Sequence, residues 1–282
     1  MNEPIREKTK ALVVLSGGQD STTCLAWARN RFDEVHALTI NYGQRHAIEI
    51  AGAKMIGILG QLDSHEVLTL PAGILQGTSP LTDPNQPVPQ YTSQDEVPDG
   101  VAKTFVPLRN QFFLTLAANR AFVLGCTHLV TGVCQTDYSG YPDCRQEFVD
   151  SLAETINKGT FTGEDWLLGE LTIHTPLMNL TKAESVDLAI AEGAYGMLAY
   201  SHTAYDGSYP PAGTDAASLL RAKGFEEADI PDPLILRAWI NGLTDLPETK
   251  NYSKVSVDKA LSDLTAELGE DWALKDQKGS VV

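Results

Sequence analysis

The chain has 282 residues, is 43% hydrophobic, and carries 37 acidic against 21 basic side chains for a net charge of −16. That length can bury a large core without staples, and that charge opposes stable DNA or RNA binding, which depends on clustered Lys and Arg. The start MNEPIREKTK lacks the apolar run of a signal peptide, and no stretch approaches the roughly 18 apolar residues a membrane helix needs. Cys24, Cys126, Cys134 and Cys144 form no CxxC pair. The expectation is a soluble cytoplasmic protein with neither a disulfide framework nor a cysteine-rich zinc site.

Residues 11–15 (ALVVL) predict a buried strand, followed by a Gly turn and a helical stretch containing Cys24, Leu25, Trp27 and Ala28. Residues 35–40 predict a second strand, 46–60 a helix and 66–70 a third strand. Strands separated by about 10 to 15 helical residues mark βαβ units and a parallel sheet. Over 71–106 the pattern breaks into Pro, Gly, Asp and Gln, so this long segment is either an active-site flap or a surface insertion. Periodicity returns as a helix at 111–125, a strand at 129–133, a helix at 147–158 and a strand at 171–174. Thr181-Lys182-Ala183-Glu184 fits a capping box opening a helix that runs to Glu192 and stops at Gly193. From 194 onward the chain is turn-rich and then mostly polar-helical. Residues 1–230 are expected to form one doubly wound α/β domain that includes the flap, with 231–282 as a C-terminal helical extension.

Ser16-Gly17-Gly18-Gln19-Asp20-Ser21 follows the first strand and opens a helix. Glycines let backbone approach an anion, the helix terminus points N–H groups at it, and flanking hydroxyls add hydrogen bonds. The segment is neither GxxxxGK[ST] nor GxGxxG, so a kinase-type loop and a dinucleotide fingerprint are both unsupported. The plain alternative is an ordinary βα turn with a Ser cap.

Three more segments carry dense polar chemistry. Tyr42-Gly43-Gln44-Arg45-His46 sits at the carboxyl end of the second strand, where open α/β sheets bind ligands. Arg109 and Asn110 of VPLRN precede a helix and could face an anion, while DYSGYPDCR, from Asp137 to Arg145, follows the strand at 129–133. Each alone reads as a surface ion pair, a helix-start cation or a rigid turn with core tyrosines. Together, at successive strand ends, they favour a site that stacks an aromatic base on Tyr and reads its edge with carboxylates.

SGGxDS resembles the pyrophosphate loop of the N-type ATP pyrophosphatases, which split ATP between its α and β phosphates. With YGQRHAIEI, VPLRNQFFL, GVCQTDYSGYPDCRQEF, TPLMNLTKAE, LLRAKGF and PDP, the chain is similar to the 7-cyano-7-deazaguanine synthase (QueC) family over about residues 12–233. The resemblance implies a Rossmann-like fold of the adenine nucleotide alpha hydrolase type and a homodimer. It implies ATP and Mg²⁺, adenylation of 7-carboxy-7-deazaguanine, displacement of AMP by ammonia, and a second adenylation that leaves the nitrile. Leu15, Ser16, Gly17, Gly18, Gln19, Asp20, Ser21, Tyr42, Gln44 and Arg45 would then bind ATP, with Asp20, Ser21, Lys182 and Arg109 catalytic. Arg109, Asn110, Asp137, Tyr138, Tyr141, Pro142, Asp143 and Arg145 would hold the deazapurine.

One segment departs from the family pattern, which carries four C-terminal cysteines on a structural zinc. Ala204, Ala212, Asp215 and Ser218 stand at those positions. Two of these side chains bind no metal and a hydroxyl binds weakly, so tetrahedral Zn²⁺ is not expected. Packing by Tyr200, Tyr205, Tyr209 and Pro210-Pro211 is expected to replace it. The loss also leaves room for a redirected relative that joins the adenylated carboxylate to another amine, such as a protein terminus, and for a purine-binding protein without catalysis.

Overall fold

The computed structural model describes residues 8–43, 48–71, 73–77, 79–83, 85–98, 100–136, 140–160, 169–205 and 207–274. Five strands form one parallel sheet: β1 (Lys10–Val14), β2 (Glu34–Asn41), β3 (Ser64–Thr69), β4 (His128–Val130) and β5 (Thr172–His174). Their order is β3-β2-β1-β4-β5. The winding direction therefore reverses between β1 and β4, opening a crevice at the carboxyl ends of these two strands.

Nine α-helices lie among the described residues: α1 (Gln19–Arg29), α2 (Ile48–Leu59), α3 (Arg109–Leu124), α4 (Gln146–Thr160), α5 (Lys182–Ala191), α6 (Tyr195–Leu198), α7 (Ala216–Glu227), α8 (Pro233–Ile240) and α9 (Lys254–Leu268). Successive strand side chains point to opposite faces, and β1 uses both. Ala11 and Val13 enter one core with Cys24, Leu25 and Ala28 of α1, Ala53 and Ile56 of α2, and Val186 of α5. Leu12 enters the other core with Leu114, Ala117 and Ala121 of α3 and Leu152 of α4. A strand buried on both faces reads as the continuous apolar run seen in the sequence. Phe225 of α7, Leu236 of α8 and Val257 and Leu264 of α9 join the same core as β1 and α1.

The expected elements are present with shifted ends. β4 stops at Val130, three residues short of the predicted end, because the chain must pass the first turn of α1. A Cβ at Gly132 would lie 3.0 Å from the carbonyl carbon of Asp20, so this stretch leaves the sheet without a side chain. β3 begins at Ser64, ahead of the predicted 66, and stops at Thr69. α3 starts at Arg109, which makes Arg109 and Asn110 its first residues rather than its approach. α4 extends to Thr160. The predicted start of the second helix at 46–47 lies outside the described residues.

The capping box of α5 is formed as expected. Thr181 Oγ1 accepts from the Glu184 amide while the Glu184 carboxylate accepts from the Thr181 amide. All four cysteines are free thiols.

Candidate active site

A cavity of about 400 Å³ opens at the switch point between β1 and β4. Its floor is the loop from Ser16 to Ser21. Gly17 adopts φ +91°, and a Cβ there would sit 2.3 Å from the Glu49 carbonyl oxygen of α2. Any other residue would clash as well as strain, so the loop packs directly on the start of α2. Ser16 Oγ and Ser21 Oγ are 3.0 Å apart, and the Ser16 amide donates to Ser21 Oγ at 3.2 Å. No side chain caps α1 at Gly18, in contrast to α5 and α7, which leaves its terminal N–H groups turned to an anion.

Lys182, the first residue of α5, reaches this loop. Its Nζ donates to both carboxylate oxygens of Asp20, at 2.9 and 3.0 Å. The aliphatic stem runs across α7, where a Cβ at Gly224 would meet Lys182 Cγ at 2.5 Å. The pair is partly buried, so its charges are little screened. Asp20, Ser16 and Ser21 supply hard oxygen donors, a set that suits Mg²⁺ held chiefly by nucleotide phosphates with at most one carboxylate.

On the opposite side Arg109 lies among Tyr42, Tyr141, Tyr205 and Asp143. It shares a hydrogen bond with Tyr42, whose ring packs 5.1 Å from Phe113. Tyr141 is held by Thr104, Oη to Oγ1 at 2.7 Å, and packs on Phe105 at 5.2 Å. The segment at 71–106 thus contributes Thr104 to the cavity, together with Leu81, Gln94, Val97 and Ala102.

Of the residues expected at a site, Leu15, Ser16, Gly18, Gln19, Asp20, Ser21, Tyr42, Arg109, Asn110, Tyr141 and Lys182 line this one cavity. Gly17, Pro142, Asp143 and Arg145 are outside its lining. Asp143 is buried and accepts from the Asn110 amide at 3.3 Å, while Asn110 Nδ2 donates to the Asp143 carbonyl at 3.2 Å. Asp143 therefore closes the open N-terminus of α3, whose preceding residue Leu108 has φ +64° and caps nothing. Pro142 and Arg145 are exposed and outside the lining. Gln44, Arg45, Asp137 and Tyr138 lie outside the described residues.

Sequence reasoning missed Glu49 and Gln94, and it assigned Tyr205 to loop packing, not to the site. Glu49 stands in the quoted segment YGQRHAIEI, seven residues past Tyr42, in the first turn of α2. A carboxylate one helical entry beyond a strand end was the available signal. Tyr205 and Gln94 belong to loops that return from distant parts of the chain, and no local pattern marks them.

The positions where the family pattern carries zinc cysteines surround a different construction. Asp215 is buried and accepts from the Ala217 and Ser218 amides at 3.0 and 3.1 Å and from Ser218 Oγ at 2.7 Å. Ala204 is buried without a polar group, and the donors of Asp215 and Ser218 are used on each other. This set does not fit zinc. Arg221 holds the neighbouring loop: it donates to both oxygens of Asp232 at 2.6 and 2.8 Å, to Ser201 Oγ at 2.8 Å and to Thr203 Oγ1 at 3.0 Å. Tyr200 is buried and donates to the Trp272 carbonyl at 2.6 Å, with the Arg237 guanidinium over the rings of Tyr200 and Tyr209.

A doubly wound parallel sheet with an uncapped glycine loop at its switch point defines a nucleotide-binding α/β protein. The profile of the family described as queuosine biosynthesis protein QueC matches residues 10–229. The chain belongs to that family. A 7-cyano-7-deazaguanine synthase from Gloeobacter violaceus is 50% identical over 80% of this chain and 95% of the relative. One from Laribacter hongkongensis is 47% identical over 83% of this chain and 98% of its own length. Among solved structures, a 4-thiouridine synthetase in complex with RNA and bound ATP is 18% identical, at TM-score 0.42, over 90% of this chain and 53% of that one.

Proposed function

We propose that this protein is an AMP-forming carbon–nitrogen ligase that converts 7-carboxy-7-deazaguanine and ammonia to 7-cyano-7-deazaguanine, using ATP to activate first the carboxylate and then the amide. Membership of the QueC family and the name shared by relatives at 47–50% identity over most of their length support the reaction. The observation that carries the site is the convergence on one cavity of the Ser16–Ser21 loop with its Asp20–Lys182 pair and, opposite, the Arg109–tyrosine cluster.

In this reading the loop amides, Ser16 and Ser21 hold the pyrophosphate end of ATP, and Lys182 offsets charge as the α–β bond breaks. Asp20, Ser16 and Ser21 would hold Mg²⁺, which would supply charge neutralisation for the departing pyrophosphate. Tyr42 and Tyr141 offer ring faces to the deazapurine, and Arg109 draws its carboxylate toward the α-phosphate. No covalent protein intermediate is needed: the work is positioning and charge stabilisation. Asp215, Ser218 and Arg221 hold the C-terminal loop without zinc.

Among the described residues no helix is long and apolar enough to cross a membrane. Exposed Trp239 and Ile240 at the end of α8, with Leu243 just after it, supply apolar surface for the homodimer we propose.

The test is incubation with ATP, Mg²⁺, ammonium and 7-carboxy-7-deazaguanine, with products identified by mass. Nitrile and AMP are expected. AMP release that ignores ammonium and needs a macromolecular amine overturns the reading, as does tight purine binding with no AMP.

A further inference from the structure

Two carboxylates line the cavity among the described residues, Asp20 and Glu49. Asp20 is ion-paired, both its oxygens accepting from Lys182. Glu49 makes no hydrogen bond or ion pair with a described residue, and its side chain is half-buried in the wall between the phosphate loop and the Arg109 cluster. Its backbone is fixed there by the contact with Gly17, which admits no side chain at position 17. A carboxylate without a partner among the described residues, held at the junction of nucleotide and acyl sites, has no role in binding pyrophosphate, which it would repel.

We propose that Glu49 is the proton acceptor for the nitrogen chemistry of this site. The proposal rests on the function proposed above. In the first half-reaction an ammonium ion gives a proton to the Glu49 carboxylate. The freed ammonia attacks the acyl carbon, the C–N bond forms, and the C–O bond to AMP breaks with its electron pair leaving on AMP. The surplus proton on the new nitrogen goes to solvent and leaves the amide. In the second half-reaction the amide oxygen has been adenylated. The electron pair of the remaining imidate N–H bond becomes the third C–N bond, AMP departs with the C–O pair, and the proton goes to Glu49. Between steps the half-buried carboxyl returns its proton to water.

The groups facing Glu49 are consistent with this role. They are Tyr42 from the end of β2, Arg109 from α3 and Tyr205 from the loop after α6, with Asp20 and Lys182 across the cavity. Burial pushes the Glu49 carboxyl up to about 7, against the pull of Arg109, a range suited to taking and releasing protons near neutrality. Burial moves the Tyr42 and Tyr205 phenols up instead, farther from that range.

The formation of the first acyl adenylate needs no proton acceptor, because the carboxylate attacks as an anion, and this separates the proposal from its foundation. Wild type and Glu49→Gln are compared in pyrophosphate–ATP exchange dependent on 7-carboxy-7-deazaguanine, and in amide and nitrile formation with ammonium at a series of pH values. Glu49→Gln is expected to keep exchange within about twofold. It should lose about a hundredfold or more of amide and nitrile formation at neutral pH, and recover as rising pH supplies free ammonia. Equal nitrile formation in both proteins across the series overturns the proposal. So does a loss of exchange parallel to the loss of nitrile, which would assign Glu49 to adenylation. Absence of carboxylate-dependent exchange in the wild type removes the proposed function, and this inference with it.

Discussion

The two walls of the cavity are built by different means. The phosphate-loop wall comes from strand ends and helix starts: β1 runs into Ser16–Ser21, α1 follows at once, and the glycines at 17 and 132 let backbone approach backbone. The facing wall sets Tyr42, just past β2, and Arg109, at the start of α3, among segments that return from far along the chain and are tied by side chains. Thr104 reaches Tyr141, Arg221 reaches Ser201 and Thr203, and the Tyr91 amide donates to the Thr214 carbonyl at 2.7 Å. The difference explains how the loop around Ala204, Asp215 and Ser218 can be rebuilt while the phosphate loop is not. Backbone geometry at a switch point tolerates few alternatives, whereas a loop needs only that its buried polar groups find partners.

The contrast breaks most visibly at Arg221, which is 3% exposed. Arg221→Met leaves Asp232 buried without its cation and frees the loop at 201–203. A loss of about 3–5 kcal/mol is expected, read as a lower urea midpoint. A loss below about 1 kcal/mol would show that the returning loops hold themselves by packing and that the side-chain ties are incidental.

On the other wall, Lys182→Ala should spare the fold and cost chemistry. Removal of a preorganised cation from a developing phosphate charge lowers AMP formation by about 10²–10³, with a thermal midpoint within a few degrees of wild type. A drop in stability comparable to that of Arg221→Met would erase the distinction between the walls.

Gly224→Ala joins the two. The added methyl falls on the Lys182 stem, at 2.5 Å from Cγ and 3.0 Å from Cβ, so the ammonium must move relative to Asp20. A displacement near an ångström predicts a loss of about tenfold to a hundredfold in kcat/KM. Unchanged kinetics would mean that α7 yields instead.

How much of this was legible in the sequence follows the same division. The unit from Leu12 to Ser21 is local, with a doubly buried strand, a glycine turn and a helix start adjacent in the chain, and it reads correctly. The capping box at Thr181 is local too, and it placed Lys182 at a helix start. The end of β4 was misjudged because what stops it, the approach of Gly132 to Asp20, is a contact across more than a hundred residues. Asp143 reads as a carboxylate in a turn, and only the fold reveals that it closes α3 from 33 residues away. Glu49 sat in plain view as a polar residue of an amphipathic helix. Its importance comes from lacking a partner among the described residues, which no sequence pattern can display.

The smallest expected effect bears on the rebuilt loop. Asp215→Ala removes the cap of α7 and the acceptor of Ser218 Oγ, so a cost of about 1–2 kcal/mol is expected in urea unfolding. Dialysis of the wild type against a chelator should change nothing, because at the positions of the family's thiolates the only hard donors already satisfy each other. A loop folded on zinc loses its folding free energy with the metal. A chelator-induced fall in the melting midpoint, or one zinc per chain after purification without a metal-binding tag, would mean that ligands outside Asp215 and Ser218 had been recruited. The polar staple would then be an accessory to a metal and not its replacement.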